Sequence, residues 1–460
     1  MLQCVELPYR DDSSGYYAAL RDLPWPLWFD SADRGAATAR YDILVAAPLT
    51  TLVCDHDGCR WQVPGAVAGP LLRDDPLQLL KQRMGGPLPP LPGIPFTGGA
   101  AGWFSYDLGH TLLQLPPHPH PATLPQVAIG IYDWALISDH QQRRCQLLSR
   151  HTDPTTAAQW PQLVARLRRA ASAPLPAPQP LQPRSLWQAH WARSDYLAAF
   201  DRVQRYLHDG DCYQVNLAHA FTIAVQGDPW HAYLRLRRDN PAPFAAYLDT
   251  PYGQILSASP ERFLQVSASG VVETKPIKGT CRRGRDAAED AALAQALAQS
   301  PKDRAENVMI VDLLRNDLGR VCRTGSVTVP SLFAVESFAT LFHLVSTIRG
   351  ELAAGTDALD LLRGAFPGGS ITGAPKRRTM AIIAELEPLS RGIYCGTIAH
   401  LGWDGAMDSN IVIRTLVHQA GQLQCHAGGG IVIDSDGEAE YQETLLKSAA
   451  LRRLLEPSEF

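Results

Sequence analysis

Five runs of β-branched and aromatic residues in the first 150 positions, at 41–46, 50–54, 96–106, 127–137 and 144–149, are interrupted by proline and glycine. With no helical periodicity between them they cannot build parallel βαβ units, so the spacing predicts antiparallel strands joined by loops. A stretch carrying Pro174, Pro176, Pro178, Pro180 and Pro183 follows. Neither a helix nor a central strand survives that spacing, and an extended connector is expected at 173–185. It marks off an N-terminal β-rich region, 1–172, from a larger region, 186–460, without implying that either folds alone.

Of the 460 residues 45% are hydrophobic, and the formal charge is -4. A large core is affordable, and no broad basic field exists for nucleic acid or anionic lipid, so any anionic ligand must be held locally, as in a small-molecule enzyme. The nine cysteines (4, 54, 59, 145, 212, 281, 322, 395 and 425) are scattered, with no CxxC pair. They read as reduced thiols and offer no zinc site. Met1-Leu2-Gln3-Cys4-Val5-Glu6 lacks the basic start and apolar run of a signal peptide, and the most apolar run, 127–137, is short and carries Asp133. A cytoplasmic location is expected.

Chemistry-bearing residues concentrate after the proline stretch. Ser194 is the expected N-cap of a helix whose Tyr196, Leu197, Phe200, Val203 and Leu207 repeat at three and four, with Gly210 as its stop. A strand follows, in which Gln214 shares a face with Cys212 and Asn216. Lys278 lies between an extended run, 271–274, stiffened by Pro276, and the turn at Gly279. A tight hairpin would bring it near Glu261, as a catalytic couple or as a plain ion pair. Ser300 caps a helix to Gly319, with Pro301 at its first position and Asp303 in the capping-box place. Asp303, Glu306, Ile310 and Leu313 share a stripe, so Glu306 is drawn inward and needs a cation.

Ser435-Asp436-Gly437-Glu438 reads as a second capping box, ahead of Glu440 and Glu443 on one face. Two acidic helix faces suit Mg²⁺, although solvated faces explain them too. Two glycine clusters, 366–376 and 427–430, are either backbone-donor loops for carboxylate or phosphate, or tight turns. Arg414, in an alternating strand at 410–417, pairs with an acid or grips a ligand carboxylate. Trp25 and Trp28, in the aromatic run 23–29, line a pocket or pack in the core.

The ordered set Cys212-Tyr213-Gln214-Val215-Asn216-Leu217, Ser259-Pro260-Glu261-Arg262-Phe263, Pro276-Ile277-Lys278-Gly279-Thr280, the helix from Glu306 to Arg320, His343-Leu344-Val345-Ser346, Gly373-Ala374-Pro375-Lys376 and Glu440 to Thr444 resembles the chorismate-utilising enzymes over about 190–455. Phe96-Thr97-Gly98-Gly99-Ala100-Ala101-Gly102 with Tyr106-Asp107, and Gly130-Ile131-Tyr132-Asp133-Trp134, extend the likeness to the N-terminal part.

The resemblance implies a large α+β fold, antiparallel sheets packed as a sandwich with helices outside, as in anthranilate synthase component I. It implies that Lys278, which anthranilate synthases replace with alanine, is the nucleophile of a branch that aminates chorismate at C4 for para-aminobenzoate and folate synthesis. Glu261 is then the acid/base. Gln214 stands where isochorismate-forming members carry a water-activating lysine, which argues against that reaction.

Mg²⁺ would be held by Glu306 and Glu443, with Glu440 and Asp303 assisting. Substrate contacts would come from Gln214, Thr280, His343, Ser370, Tyr394, Arg414, Gly428, Gly429 and Gly430. No cysteine sits in a glycine-flanked nucleophile turn, so ammonia is expected from a separate glutamine amidotransferase subunit. Two other readings stand beside this one: an anthranilate synthase component I, and a non-catalytic regulatory subunit binding an amino acid. Under the second, Trp25, Trp28 and Ser31 would form a tryptophan pocket.

Overall fold

A computed structural model describes residues 2–36, 38–175, 177, 179–338 and 341–455. Met1, Pro176 and Pro178 lie outside the described residues. Among those described, a 13-stranded and an 11-stranded sheet form, every strand pair in both antiparallel. Both sheets draw strands from either side of the proline stretch. In the larger, Leu27–Asp30 pairs Phe244–Thr250; in the smaller, Gly99–Phe104 pairs Thr397–Gly402.

Strand alternation sorts the core into layers. Leu27, Ile43, Val45, Ala246 and Leu248 of the larger sheet meet Ala101, Trp103, Ala128 and Ile398 of the smaller in one shared core. Their neighbours turn outward: Trp28, Leu44 and Tyr247 pack under Tyr17, Trp160, Trp230 and Tyr233 of covering helices. On the far side Phe104, Val127, Ile129 and Leu264 meet Ile310, Leu314, Leu362 and Met380. The result is the expected α+β sandwich, helix-covered on both outer faces. No helix among the described residues is long and apolar enough to cross a membrane.

Local departures have local causes. The helix Arg193–His208 starts before Ser194; Ala192 is its N-cap, and the Asp195 carboxylate accepts the Ala192 N–H. The C-terminal helix Gly437–Arg452 is capped by Asp436, which accepts from Ala439. Ser435 instead donates to Glu440. Cys54 and Cys59, expected as thiols, form a disulfide, because the Thr50–Cys54 and Cys59–Gln62 hairpin sets them directly opposite, with Cα atoms 4.0 Å apart.

Candidate active site

The site lies where the larger sheet splits. Gly253–Ser259, Thr415–Gln419 and Gln422–Ile431 run side by side, with Ser257 opposite Thr415 and Leu416 opposite Cys425. The middle strand starts only at Thr415. Ahead of it the chain leaves the sheet at Arg414, whose φ is +50°, so the alternating strand expected over 410–417 is broken there. A non-glycine residue in that left-handed region is costly and needs support from its surroundings. The flanking strands run on past the break, one toward Glu261 and the other through Gly428, Gly429 and Gly430. One edge of 426–431 therefore has no strand partner among the described residues.

The Arg414 carbonyl accepts from the Ala258 N–H at 3.1 Å, but its guanidinium has no hydrogen bond or ion pair among the described residues. Burial pulls its pKa down, against the pull of Glu261. A half-buried guanidinium left this way suits a ligand carboxylate. Gln214, 1% exposed, leaves both Oε1 and Nε2 without a partner. Its amide lies over Gly430, where an added Cβ would come within 2.6 Å of Nε2. Two unsatisfied groups at one cleft mark a place where a polar ligand completes the bonding.

Lys278 enters from the smaller sheet. Its strand Ile277–Arg282 pairs with Leu341–Glu351, but the register shifts between Ile277 and Thr280. Gly279, at φ +87°, occupies this bulge, which re-aims Lys278. A Cβ on Gly279 would meet Asp303 Cγ at 2.9 Å, so only glycine lets the helix Pro301–Gly319 approach. Beyond the bulge Thr280 and His343 face each other, Oγ1 to Nδ1 2.8 Å. His343 is neutral, since burial lowers its pKa to about 4.

The hairpin of Arg262–Val266 with Val271–Thr274 forms but ends short of Lys278, whose strand is set apart from it by Leu341–Glu351. Lys278 and Glu261 meet at Ser370: Lys278 Nζ donates to its carbonyl at 3.4 Å, and its hydroxyl donates to Glu261 Oε1 at 3.2 Å. Burial raises Glu261 to about 7, against Lys278, Ser370 and the Ile277 backbone. Burial also lowers the Lys278 pKa, against the pull of Glu306 and Glu261. Both groups are thus moved toward neutrality.

The glycines around Ser370 allow close packing. A Cβ on Gly369 would lie 2.3 Å from Leu313 Cδ2, and one on Gly368 2.7 Å from Ile411 Cδ1. Missing from the sequence reading is the buried pair Glu387–Arg391, 2.6 Å apart. Arg391 Nη1 donates to the Ile371 carbonyl at 2.9 Å and Nη2 to the Asn216 carbonyl at 2.8 Å, tying the Ser370 turn to the Gln214 strand. Its only signal was a charged pair at i,i+4, indistinguishable from a solvated one.

The acidic residues converge in part. Beside Gly429, an added Cβ would lie 2.7 Å from Glu440 Oε2 and 3.6 Å from Glu443 Oε1. Glu306 faces Lys302 at 4.0 Å; burial raises its pKa, and the charges of Asp303 and Glu443 raise it further. Burial pushes Glu443 up too, but Lys447 at 2.6 Å outweighs it and leaves the pKa below normal. Among the described residues no three carboxylate, histidine or cysteine side chains close into a metal cage. Mg²⁺ asks for less, one or two carboxylates with water and substrate oxygens completing the octahedron. Glu306, under-neutralised and repelled by Glu443, fits that partial donor set.

Trp25, Trp28 and Ser31 do not form the expected pocket. Trp28 is fully buried, stacked 5.7 Å from Tyr17, and Trp25 packs edge-on to Tyr252. Trp28, on a strand covered on both faces, and Trp25, in the bend before it, both find core partners. Ser31 alone borders a cavity of about 520 Å³, shared with Phe29, Pro243, Phe244 and His400.

Residues 43–453 match the sequence pattern of the chorismate binding enzymes. The chain is 48% identical over 461 residues to aminodeoxychorismate synthase component 1 of Salmonella typhimurium, covering 99% of this chain and 98% of that protein. The same-named protein of Escherichia coli is 46% identical over 457 residues, covering 98% of each chain. The crystal structure of anthranilate synthase component I from Streptococcus pneumoniae superimposes with a TM-score of 0.81 at 31% identity, over 91% of this chain and 93% of that one. The split sheet with its unpaired arginine and glutamine thus sits in a fold and a sequence of one lineage, and the chain belongs to the chorismate binding enzymes.

Proposed function

We propose that the chain aminates chorismate at C4, giving 4-amino-4-deoxychorismate, with ammonia supplied by a separate glutamine amidotransferase subunit, as the name component 1 of its relatives implies. The observation that carries this reading is the Lys278–Ser370–Glu261 arrangement: an amine with a lowered pKa and a carboxyl raised to about 7, joined through one residue.

Neutral Lys278 attacks C2 of chorismate while both ring double bonds shift, C1=C2 to C1=C6 and C5=C6 to C4=C5, and the C4–oxygen bond breaks. Protonated Glu261 gives its proton to the departing hydroxyl, which leaves as water. Ammonia then forms a bond to C4, both double bonds shift back, the C2–nitrogen bond to Lys278 breaks, and the Glu261 carboxylate takes the proton that the new amine sheds. Lysine is regenerated, and the enolpyruvyl group is retained for a later lyase on the way to para-aminobenzoate.

Arg414 and Tyr394 hold the side-chain carboxylate, while the edge of Gly428 to Gly430 that has no strand partner among the described residues offers backbone N–H to the substrate. Ser370, Gln214, Thr280 and His343 complete the walls. Glu306 and Glu443, with Glu440 and Asp303 behind them, would hold Mg²⁺, which when bound neutralises the ring carboxylate. Two like charges about 4 Å apart at an effective dielectric near 20 repel by ~4 kcal/mol, so a dianionic substrate beside these acids needs that neutralisation.

Incubating the purified chain with chorismate, Mg²⁺ and ammonium, and identifying the product by mass with a pyruvate assay, tests the reading. The expected product keeps its pyruvyl carbons. Anthranilate with released pyruvate would overturn it in favour of anthranilate synthase, and no turnover with an amidotransferase present would favour a regulatory subunit. Tryptophan binding rests now on the Ser31 cavity, and a melting temperature unmoved by added tryptophan would remove it.

A further inference from the structure

Ser370 joins Lys278 to Glu261, yet the element that carries it holds little of itself. Gly369–Ile371 is a single three-residue 3₁₀ turn, and so short a run makes too few internal bonds to fix its own orientation. Both of its working contacts are long. Lys278 Nζ stands 3.4 Å from the Ser370 carbonyl and the Ser370 hydroxyl 3.2 Å from Glu261 Oε1, beyond the usual ranges of about 2.7–3.2 Å for N–H and about 2.5–3.0 Å for O–H donors. A drift of the turn by roughly half an ångström would open one contact or the other.

Two buried cations hold the turn from behind. Lys376 begins the next helix, Lys376–Leu386; it donates to the Ala365 carbonyl at 2.6 Å and to the Asp317 carboxylate at 2.8 Å, closing the base of the stretch 366–375. Arg391 reaches its middle. Nη1 donates at 2.9 Å to the carbonyl of Ile371, the residue after Ser370, and Nη2 donates to the Asn216 carbonyl at 2.8 Å. The backbone adds a bond beside them, from the Asn216 N–H to the Thr372 carbonyl at 2.9 Å. The guanidinium is itself fixed. Nε and Nη2 grip the two Glu387 oxygens at 2.9 and 2.6 Å, Glu387 Oε1 accepts the Ala218 N–H at 2.8 Å, and the Tyr106 ring lies 4.8 Å away. Ser370 thereby takes its position from the strand Gln214–Gln226 of the larger sheet.

Stability does not account for this arrangement. A buried ion pair gains little or nothing over apolar side chains of similar size, since both ions must leave water. What a guanidinium supplies and an apolar side chain lacks is direction, through a planar fork whose donors point at several acceptors at once. Beyond Glu387, the acceptors here are the backbone of the Ser370 turn and of the Gln214 strand. We propose that Arg391 is a positioning residue of the amination, holding the Ser370 turn in register with Glu261 and Lys278. The inference rests on the amination proposed above.

Arg391→Lys keeps a cation beside Glu387, but an ammonium cannot replace a fork that spans Glu387, Ile371 and Asn216. With chorismate and ammonium chloride its kcat should fall about 10–100-fold, the usual effect of a slight misplacement. The pH profile gives a readout that lost stability alone would not move. The Ser370 hydroxyl, with Lys278, the Ile277 N–H and Arg414, holds the Glu261 pKa down, while the Cys395 thiol, pushed up to about 12 by burial, faces it uncharged. Losing the hydroxyl bond should therefore move the falling limb of kcat/KM up from about 7 by about 0.5–1 pH unit. Ser370→Ala should show the same move, and the double variant should be at most about twofold slower than the slower single one, because both changes act on one contact. Leu44→Ala, in the core on the outer face of the larger sheet, loses stability and should keep the wild-type limb. If Arg391→Lys does not fold, Arg391→Met with Glu387→Leu leaves no buried charge and should show the same lowered kcat and raised limb. A wild-type limb in the Arg391 variants, an equal move in Leu44→Ala, or losses that multiply in the double variant would overturn the positioning alone. A wild-type chain that makes no amino product from ammonium chloride would overturn the amination, and the positioning with it.

Discussion

Replacing Glu261 by glutamine should stabilise the protein while disabling it. The carboxyl is 6% exposed and its pKa is moved from 4.5 to about 7, with burial as the main cause. Ionising it therefore costs about 3 kcal/mol more in the folded chain than in the unfolded one. Because the folded pKa is the higher, folding favours the protonated form. That contribution is complete below pH 4.5 and is lost as pH rises through about 7.

Glutamine keeps an acceptor for the Ser370 hydroxyl and never ionises, so it escapes the loss. An unfolding entropy of ~2.1 cal/mol/K per residue, near 1 kcal/mol/K for this length, converts the difference to a Tm gain of about 3 °C at pH 8 and under about 1 °C at pH 5. Thermal melts of both proteins at the two pH values check it. Amination by the variant should fall about 10²–10⁴-fold, the usual worth of a general acid, and wild-type kcat/KM should decline as pH rises through 7. A variant gaining the same Tm at both pH values, or losing stability at pH 8, would refute the buried, raised carboxyl.

Lys278→Ala should lose C4 amination by roughly 10³-fold or more, as nucleophile removal does; undiminished product by mass would defeat the covalent route. Arg414→Met should raise the chorismate KM about 10–100-fold, the worth of a charged hydrogen bond of ~1.5–3 kcal/mol. Its Tm should not fall, since the guanidinium has no partner to lose among the described residues, and an unchanged KM would remove Arg414 from the substrate site. Gly373→Ala combines φ +138° with a Cβ 2.1 Å from the Gln214 carbonyl. Strain of about 1–3 kcal/mol plus that clash should lower the Tm by several degrees, read by calorimetry; an unshifted Tm would show that the contact yields freely.

The strand character of the N-terminal region and the Ser300 cap were readable because period-2 runs and a Ser-Pro start are local signals. Ser194 misled because the preceding turn offered its own cap at Ala192, two residues earlier. Whether a glycine is a donor or a clearance depends on what packs against it: Gly369 answers to Leu313 and Gly430 to Gln214, partners 56 and 216 positions away. Alternation continues through Arg414, so nothing in the pattern announces the break that opens the sheet. The Glu387–Arg391 pair shows the same limit, since two charges at helical spacing look alike in water and in a core.

Glu261 links the strand Gly253–Ser259 of the larger sheet to Arg262–Val266 of the smaller, and Lys278 rides on the smaller, with Ser370, among the described residues, hydrogen-bonded to both side chains. One reacting group therefore sits at the crossing between the two jaws of the sandwich and the other on a single jaw, and their spacing depends on how the two jaws seat. Trp103 and Leu248, both buried between the sheets, are in that sense parts of the catalytic ruler. A methylene added or removed there would register as a change in turnover before it registered as unfolding.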